Sequence, residues 1–233
     1  MFLNYRRREK SIENIELLLR MKLQQIFQTI IQDNKVHAKF LNTLSLMENT
    51  GARKISASEH KTKISYLMLK HACEEARHAF YLKKQISKLV NIDNFPSYEN
   101  QYLLAPFASY TYLQCLDIQV CRYLKNTLKL QGDALKYAAY LLVTYSIEVR
   151  ADELYPIYQD ALDVAKSKVN VKSIIVEEEG HLAEMIEQLK VFSPDWEIHA
   201  EKACNIEKHL FDDWTLGLAH GLNGLHRVQS SSF

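Results

Sequence analysis

One short pattern occurs twice in this chain, and it constrains the fold more than any other feature. Glu74-Glu75-Ala76-Arg77-His78 and Glu177-Glu178-Glu179-Gly180-His181 are both Glu-Glu-x-x-His. In each copy the second glutamate and the histidine are three residues apart and so share one face of a helix. That face is otherwise apolar. Around the first copy Ile64, Met68, His71, Glu75, His78, Leu82, Ile86 and Leu89 fall in line; around the second, Val171, Ile174, Glu178, His181, Met185, Leu189 and Phe192 do. An apolar stripe is the side a helix buries, and an ionised carboxylate is costly to bury without a partner. With 18 Glu and 9 His among 233 residues, chance placement yields about 0.05 copies of the five-residue pattern, so two copies point to a shared purpose.

Each copy also has a single glutamate upstream on an apolar stripe. Glu48 lies 27 residues before Glu75, in line with Leu41, Leu44, Ala52 and Ile55; Glu148 lies 30 before Glu178, in line with Tyr137, Leu141, Thr144, Ala151 and Tyr155. Either interval is the length of one helix returning antiparallel to another. Asp152 and Glu153 are alternatives to Glu148 on spacing alone. Two such hairpins packed together place four carboxylates and two imidazoles inside one bundle. Four buried carboxylates repel one another, and two divalent cations cancel their charge. The candidate metal ligands are therefore Glu48, Glu75, His78, Glu148, Glu178 and His181. The carboxylate and imidazole mixture suits iron, with manganese as the alternative, better than structural zinc, which favours thiolates.

Only 6 Gly and 4 Pro punctuate the sequence, so long helices are expected rather than many short strands. The reading is all-α: a single helical domain over residues 1–227, built as a four-helix bundle with flanking helices, and a flexible tail over 228–233. Periodicity predicts a first helix over Glu9–Gln32, through Ile12 and Ile15. A second runs to a turn at Ser56–Ser58, and a third from there to about Val90. After the loop at 91–100, an aromatic-rich helix follows Pro106 to about Leu130. The next helix is expected to kink or end at Pro156, one stops at Ser193-Pro194, and a last helix from Asp195 is expected to loosen at Gly217, Gly221 and Gly224.

Lys and Arg total 29 against 28 Asp and Glu, which leaves no electrostatic footprint for nucleic acid. The cluster Arg6, Arg7, Arg8 reads as a solvated helix start. Cys73, Cys115, Cys121 and Cys204 form neither a CxxC nor a zinc-like spacing, and they suit a reducing cytoplasm. No uncharged stretch reaches the roughly 18 residues of a membrane span, so neither membrane nor secretion is indicated.

The two motifs resemble those of the ferritin-like di-iron carboxylate superfamily, in which two Glu-x-x-His segments and two single glutamates form a binuclear site in a four-helix bundle. The segment Glu74 to His78 is similar to the acidic-Glu-x-Arg-His segment of its oxygen-activating members, among them the ribonucleotide reductase small subunit and bacterial monooxygenases. The length and the spacing of the second half also resemble the aldehyde-deformylating oxygenases. The resemblance covers Val36 to Val90 and Ala134 to Phe192, and the second motif departs from it with Gly180 in place of the arginine. It implies two bound metal ions and an oxygen-activating oxidoreductase acting on an organic, apolar substrate. The alternative it allows is a ferroxidase or iron-handling protein with no organic substrate, and a third reading is a bundle that metal merely stabilises. The partners implied are O2, a small organic molecule and an external electron donor that no motif names; assembly into a homo-oligomer stays open.

The resemblance further implies that Glu74 hydrogen-bonds His181 and that Glu177 hydrogen-bonds His78, each orienting a ligand of the opposite motif. Arg77 or Arg150 would then offset the added negative charge. His71 is expected to be a core-edge histidine rather than a ligand. His37, His60, His199, His209, His220 and His226 are expected to be surface or capping groups. Tyr145, Tyr155 and Tyr158 are expected to pack, with a redox role open. Phe107, Tyr110, Tyr112, Leu113 and Leu116 are expected either to pack or to line an apolar channel.

Overall fold

The computed structural model describes the backbone of residues 2–230 and the side chains of residues 17–224. Within those bounds it is all helical, with seven α-helices: α1 (Phe2–Gln32), α2 (Asn34–Ser58), α3 (Tyr66–Gln85), α4 (Pro106–Thr127), α5 (Gly132–Val164), α6 (Lys172–Phe192) and α7 (Trp196–Ser230). The side chains of Arg6, Arg7, Arg8, Ile12, Ile15 and His226 lie outside the described residues, as do the last three residues of the expected tail.

Asp33 shows why the first break falls where the sequence indicates. Its carboxylate accepts from Lys35 N at 2.7 Å and Val36 N at 3.1 Å, satisfying donors that a helix start leaves unpaired. The next break is wider than expected: α2 continues through Ser58, and α3 begins only at Tyr66. At its far end α3 stops at Gln85 and tightens into a 3₁₀ turn, Ile86–Lys88, instead of continuing to Val90.

α3 packs along α2 and α6 along α5, while α2 and α5 also meet. The four helices that carry the paired motifs and the upstream glutamates thus face one another. α1, α4 and α7 pack on α5 and close one side. Phe27 of α1, Phe40 of α2, Tyr158 of α5 and Trp214 of α7 form an aromatic cluster there, with Tyr158 at ring distances of 5.2 Å from Phe27 and 5.3 Å from Phe40. All four are fully buried.

Two expectations about helix breakers are corrected. Of the two outcomes expected at Pro156, a kink or an end, the end is overturned: α5 runs on to Val164. The segment that crosses it buries Leu154, Tyr155, Ile157 and Tyr158, and that packing outweighs the missing backbone hydrogen bond. The loosening expected at Gly217, Gly221 and Gly224 does not break α7, whose helix continues to Ser230. Gly217 and Gly221 instead let α7 lie close against the start of α4. A methyl group on Gly217 would collide with Ala108, and one on Gly221 would sit 3.5 Å from Leu104. Their role is close approach of two backbones.

Candidate metal centre

Two groups of acids and imidazoles come together between α2, α3, α5 and α6, each with ligand atoms within 4.8 Å of one another. One is Glu48, Glu75, His78 and Glu178; the other is Glu75, Glu148, Glu178 and His181. Glu75 and Glu178 belong to both. Glu178 lies between the two imidazoles, with Oε1 3.0 Å from His78 Nδ1 and Oε2 3.2 Å from His181 Nδ1. His181 Nδ1 is 3.7 Å from both Glu75 and Glu148. Each group can hold a metal ion, and all six sequence candidates are among its members. Asp152 and Glu153 are not: both are exposed, and Glu153 accepts from Arg150.

The two imidazoles are oriented from behind. His78 Nε2 is 2.8 Å from Glu177 Oε2, and His181 Nε2 is 2.8 Å from Glu74 Oε2. The bonds cross, each running from one motif to the histidine of the other, and both leave Nδ1 facing the acids. Arg77 pairs with Glu177, whose carboxyl is lowered because bonds from Arg77 and His78 overcome its burial. Arg150 does not take this part. It lies on the other side of α5, held by Glu207 at 2.9 and 2.7 Å and stacked over Phe211.

The electrostatics are those of a site built for cations. Burial and the neighbouring Glu48 charge push the Glu75 carboxyl well above its ordinary range; burial and the Glu178 charge do the same to Glu148. Burial also raises Glu48, which keeps some accessible surface on the side it presents to a cavity. Glu178 moves the opposite way despite its burial, because Glu148, His181 and His78 all bond to it. His181 is pushed up to about 9: burial opposes this, but the Glu178 bond and charge prevail. Without metal, protons must supply the positive charge. Among the described residues, the buried Glu148 Oε2 has no hydrogen-bond partner, and His78 Nδ1 faces only Glu178 Oε1, at 3.0 Å and without good hydrogen-bond geometry. A buried polar atom left unpaired is costly, and both are of the ligand type that iron or manganese takes.

Further residues join the site without a motif to announce them. Tyr155 donates its hydroxyl hydrogen to Glu48, and burial next to Glu48 keeps the phenol neutral. The signal was present in outline, since Tyr155 follows Glu148 by two turns on one stripe. His71 is fully buried rather than at a core edge; its Nε2 is 2.9 Å from Glu184 and its Nδ1 3.1 Å from the Tyr140 hydroxyl. Glu184 sits one turn beyond His181. His37 and His199 are corrections too. His37 is buried with Nε2 2.6 Å from the Tyr158 hydroxyl, and His199 is buried with Nδ1 2.7 Å from Tyr123. Helical polarity patterns do not reveal a histidine matched to one phenol. His60 is on the surface as expected, its Nδ1 accepting from Thr62 N and Lys63 N in the connection between α2 and α3. Tyr145 packs edge-on against Trp196.

A cavity of about 320 Å³ opens onto the centre. Glu48, Glu75 and Glu148 lie in its wall, and most of the rest is apolar, including Leu44, Val143 and Leu154. Tyr112 and Leu113 of the aromatic helix line it. Phe107 does not: it is 79% exposed on the surface. Leu116 packs in the core, and Tyr110 bonds to the Tyr98 carbonyl.

No protein-family model, curated protein or solved structure matches this chain. Among the described residues, no helix is long and apolar enough to cross a membrane.

Proposed function

We propose that this is a ferritin-like di-metal oxidoreductase that uses O2 to oxidise an apolar organic molecule. The observation that carries the reading is the shared use of Glu75 and Glu178 by two ligand groups beside an apolar cavity. Glu48 and His78 would complete one metal ion, Glu148 and His181 the other, with Glu75 and Glu178 serving both. Two reduced iron or manganese ions held there would supply electrons for reducing O2, replenished by an external donor.

The chain's own residues set the conditions for that chemistry. Glu74 and Glu177 hold the two imidazoles with Nδ1 inward, which fixes their tautomer and keeps them basic. Tyr155 restrains Glu48. The apolar wall limits water beside the acids, which strengthens electrostatic interactions there. That wall favours an organic substrate over the ferroxidase alternative, since iron passing through needs a polar path. All four cysteines are free thiols, in keeping with a reducing cytoplasm.

Anaerobic Fe(II) loading followed by O2, with and without a panel of apolar compounds, tests the proposal. Two metals per chain are expected by elemental analysis, with O2 uptake matched by loss of one compound. Glu75→Ala and Glu178→Ala should each remove both metals or leave one weakly held. Unchanged metal content in both variants would reject the ligand set. Deposition of ferric oxide with no organic oxidation would favour the ferroxidase reading.

A further inference from the structure

Gly51 lies inside α2, one turn beyond Glu48 and on the same face of the helix. A glycine in a helix interior is destabilising relative to alanine, because it has more backbone freedom to lose on folding and no side chain to pack. The backbone does not call for it. Among the described glycines only Gly132 takes a positive φ, so residue 51 has a helical conformation open to any ordinary residue.

Close packing does not call for it either. A methyl carbon added at Gly217 would collide with Ala108, whereas one added at Gly51 would meet, beyond its own helix and among the described residues, only Glu75 Oε2, at an ordinary contact distance of 3.7 Å. An alanine therefore fits. The glycine leaves a space that a side chain would fill, and both Gly51 and Glu75 line the cavity, so that space belongs to the cavity.

The location matters because of which ligands the cavity reaches. Glu48, Glu75 and Glu148 are in its wall; Glu178, His78 and His181 are not. Glu75 and Glu178 are the acids common to both ligand groups, so Glu75 is the shared acid that the cavity touches. A molecule coming from the cavity arrives over carboxylates, and position 51 stands against the shared one. There alanine would add a methyl group, valine an isopropyl group and leucine an isobutyl group. Packed protein interiors yield little to added volume, so each step covers more of Glu75.

Resting on the oxidoreductase reading for the metals, we propose that Gly51 is a specificity-determining residue that sets the size of molecule able to reach the metal centre from the cavity. Its missing side chain keeps the approach over Glu75 open to an organic molecule, and a larger residue restricts that approach to slender ligands. Gly51 acts through the space it leaves and takes no part in the reaction itself. The helix stability given up at this position is the counterpart of that opening.

The test uses the full chain loaded anaerobically with Fe(II), oxidised with ferricyanide, and titrated with azide, a slender ligand, and phenol, a bulkier one. Each gives a visible charge-transfer band on binding Fe(III), and both are expected to bind the wild type. Gly51→Val and Gly51→Leu should weaken phenol at least about tenfold, the effect of overfilling a packed site, and leave azide within about threefold. Gly51→Ala should weaken phenol by a smaller factor, keep the wild-type iron content and raise the urea midpoint. Gly224→Ala, in α7 with nothing within 4 Å of the added carbon, should raise the midpoint likewise and change neither probe. A wild type without a phenolate band, equal weakening of the two probes, unchanged phenol binding in the valine and leucine variants, or loss of iron from Gly51→Ala would overturn the proposal. Ferricyanide keeps the test independent of O2: size-dependent phenol binding in a protein that oxidises no organic compound under O2 would refute the oxidoreductase reading and leave the role of Gly51 standing.

Discussion

Removing the two acids behind the imidazoles is the sharpest perturbation of the centre. Glu74→Ala frees His181 Nε2 and Glu177→Ala frees His78 Nε2, each now bonded at 2.8 Å. A hydrogen bond to a charged acceptor contributes about 1.5–3 kcal/mol. The two carboxylates keep 25% and 29% of their side-chain surface exposed, so solvent screening argues for the lower half, about 1.5–2 kcal/mol. At about 1.4 kcal/mol per decade, each loss should weaken binding of the ion on that histidine by roughly 10–30-fold, within the range known for outer partners of ligand histidines. Glu74→Gln and Glu177→Gln should lose less, because an amide oxygen still accepts but carries no charge. Arg77→Ala is the control: it removes the exposed partner of Glu177 and leaves the His78 bond, so affinity should stay within about threefold. Competition of Fe(II) against a chromophoric chelator measures all five variants. Wild-type affinity in both alanine variants would refute the reasoning and leave the doubled acid without a role in orienting the site.

Two further outcomes follow from buried groups away from the centre. Burial lowers His37 from 6.5 to about 4, so the unfolded chain takes up a proton first as pH falls; stability is complete above pH 6.5 and should drop by about 3 kcal/mol between there and pH 4. Urea midpoints across that window should flatten in His37→Gln, and an equally steep decline would show that other groups cause it. Glu207 holds the buried Arg150 through two bonds and accepts a third from Tyr112 at 2.8 Å; Glu207→Ala should cost about 3–5 kcal/mol by leaving that charge without its main partner, and a loss under about 1 kcal/mol in chemical denaturation would contradict this.

The parts of this protein legible from sequence are those governed by local periodicity. Three-residue spacing puts Glu75 with His78 and Glu178 with His181 on one face whatever the helix packs against, and the apolar residues in line with them name that face as buried. Asp33 and Pro106 mark helix starts through backbone chemistry of their own. The crossed bonds of Glu74 and Glu177 were reachable only through resemblance, because spacing within one helix does not say which residue of another helix it meets. The tertiary structure decided everything that depends on two helices at once. Gly217 and Gly221 look like breakers in a one-dimensional reading but serve the contact of α7 with Ala105 and Ala108, a distance no single helix encodes. Pro156 sits inside α5 because the aromatic core around Tyr158 outweighs one lost hydrogen bond. Arg150 shares α5 with Glu148 at two residues' separation, and that separation turns it away from the acids toward Glu207. His37 finds Tyr158 across 121 residues. The cavity exists only in the space left between α2, α3, α4, α5 and α7. Periodicity is a property of one chain segment, whereas close approach, pairing and empty volume are properties of several segments held in register.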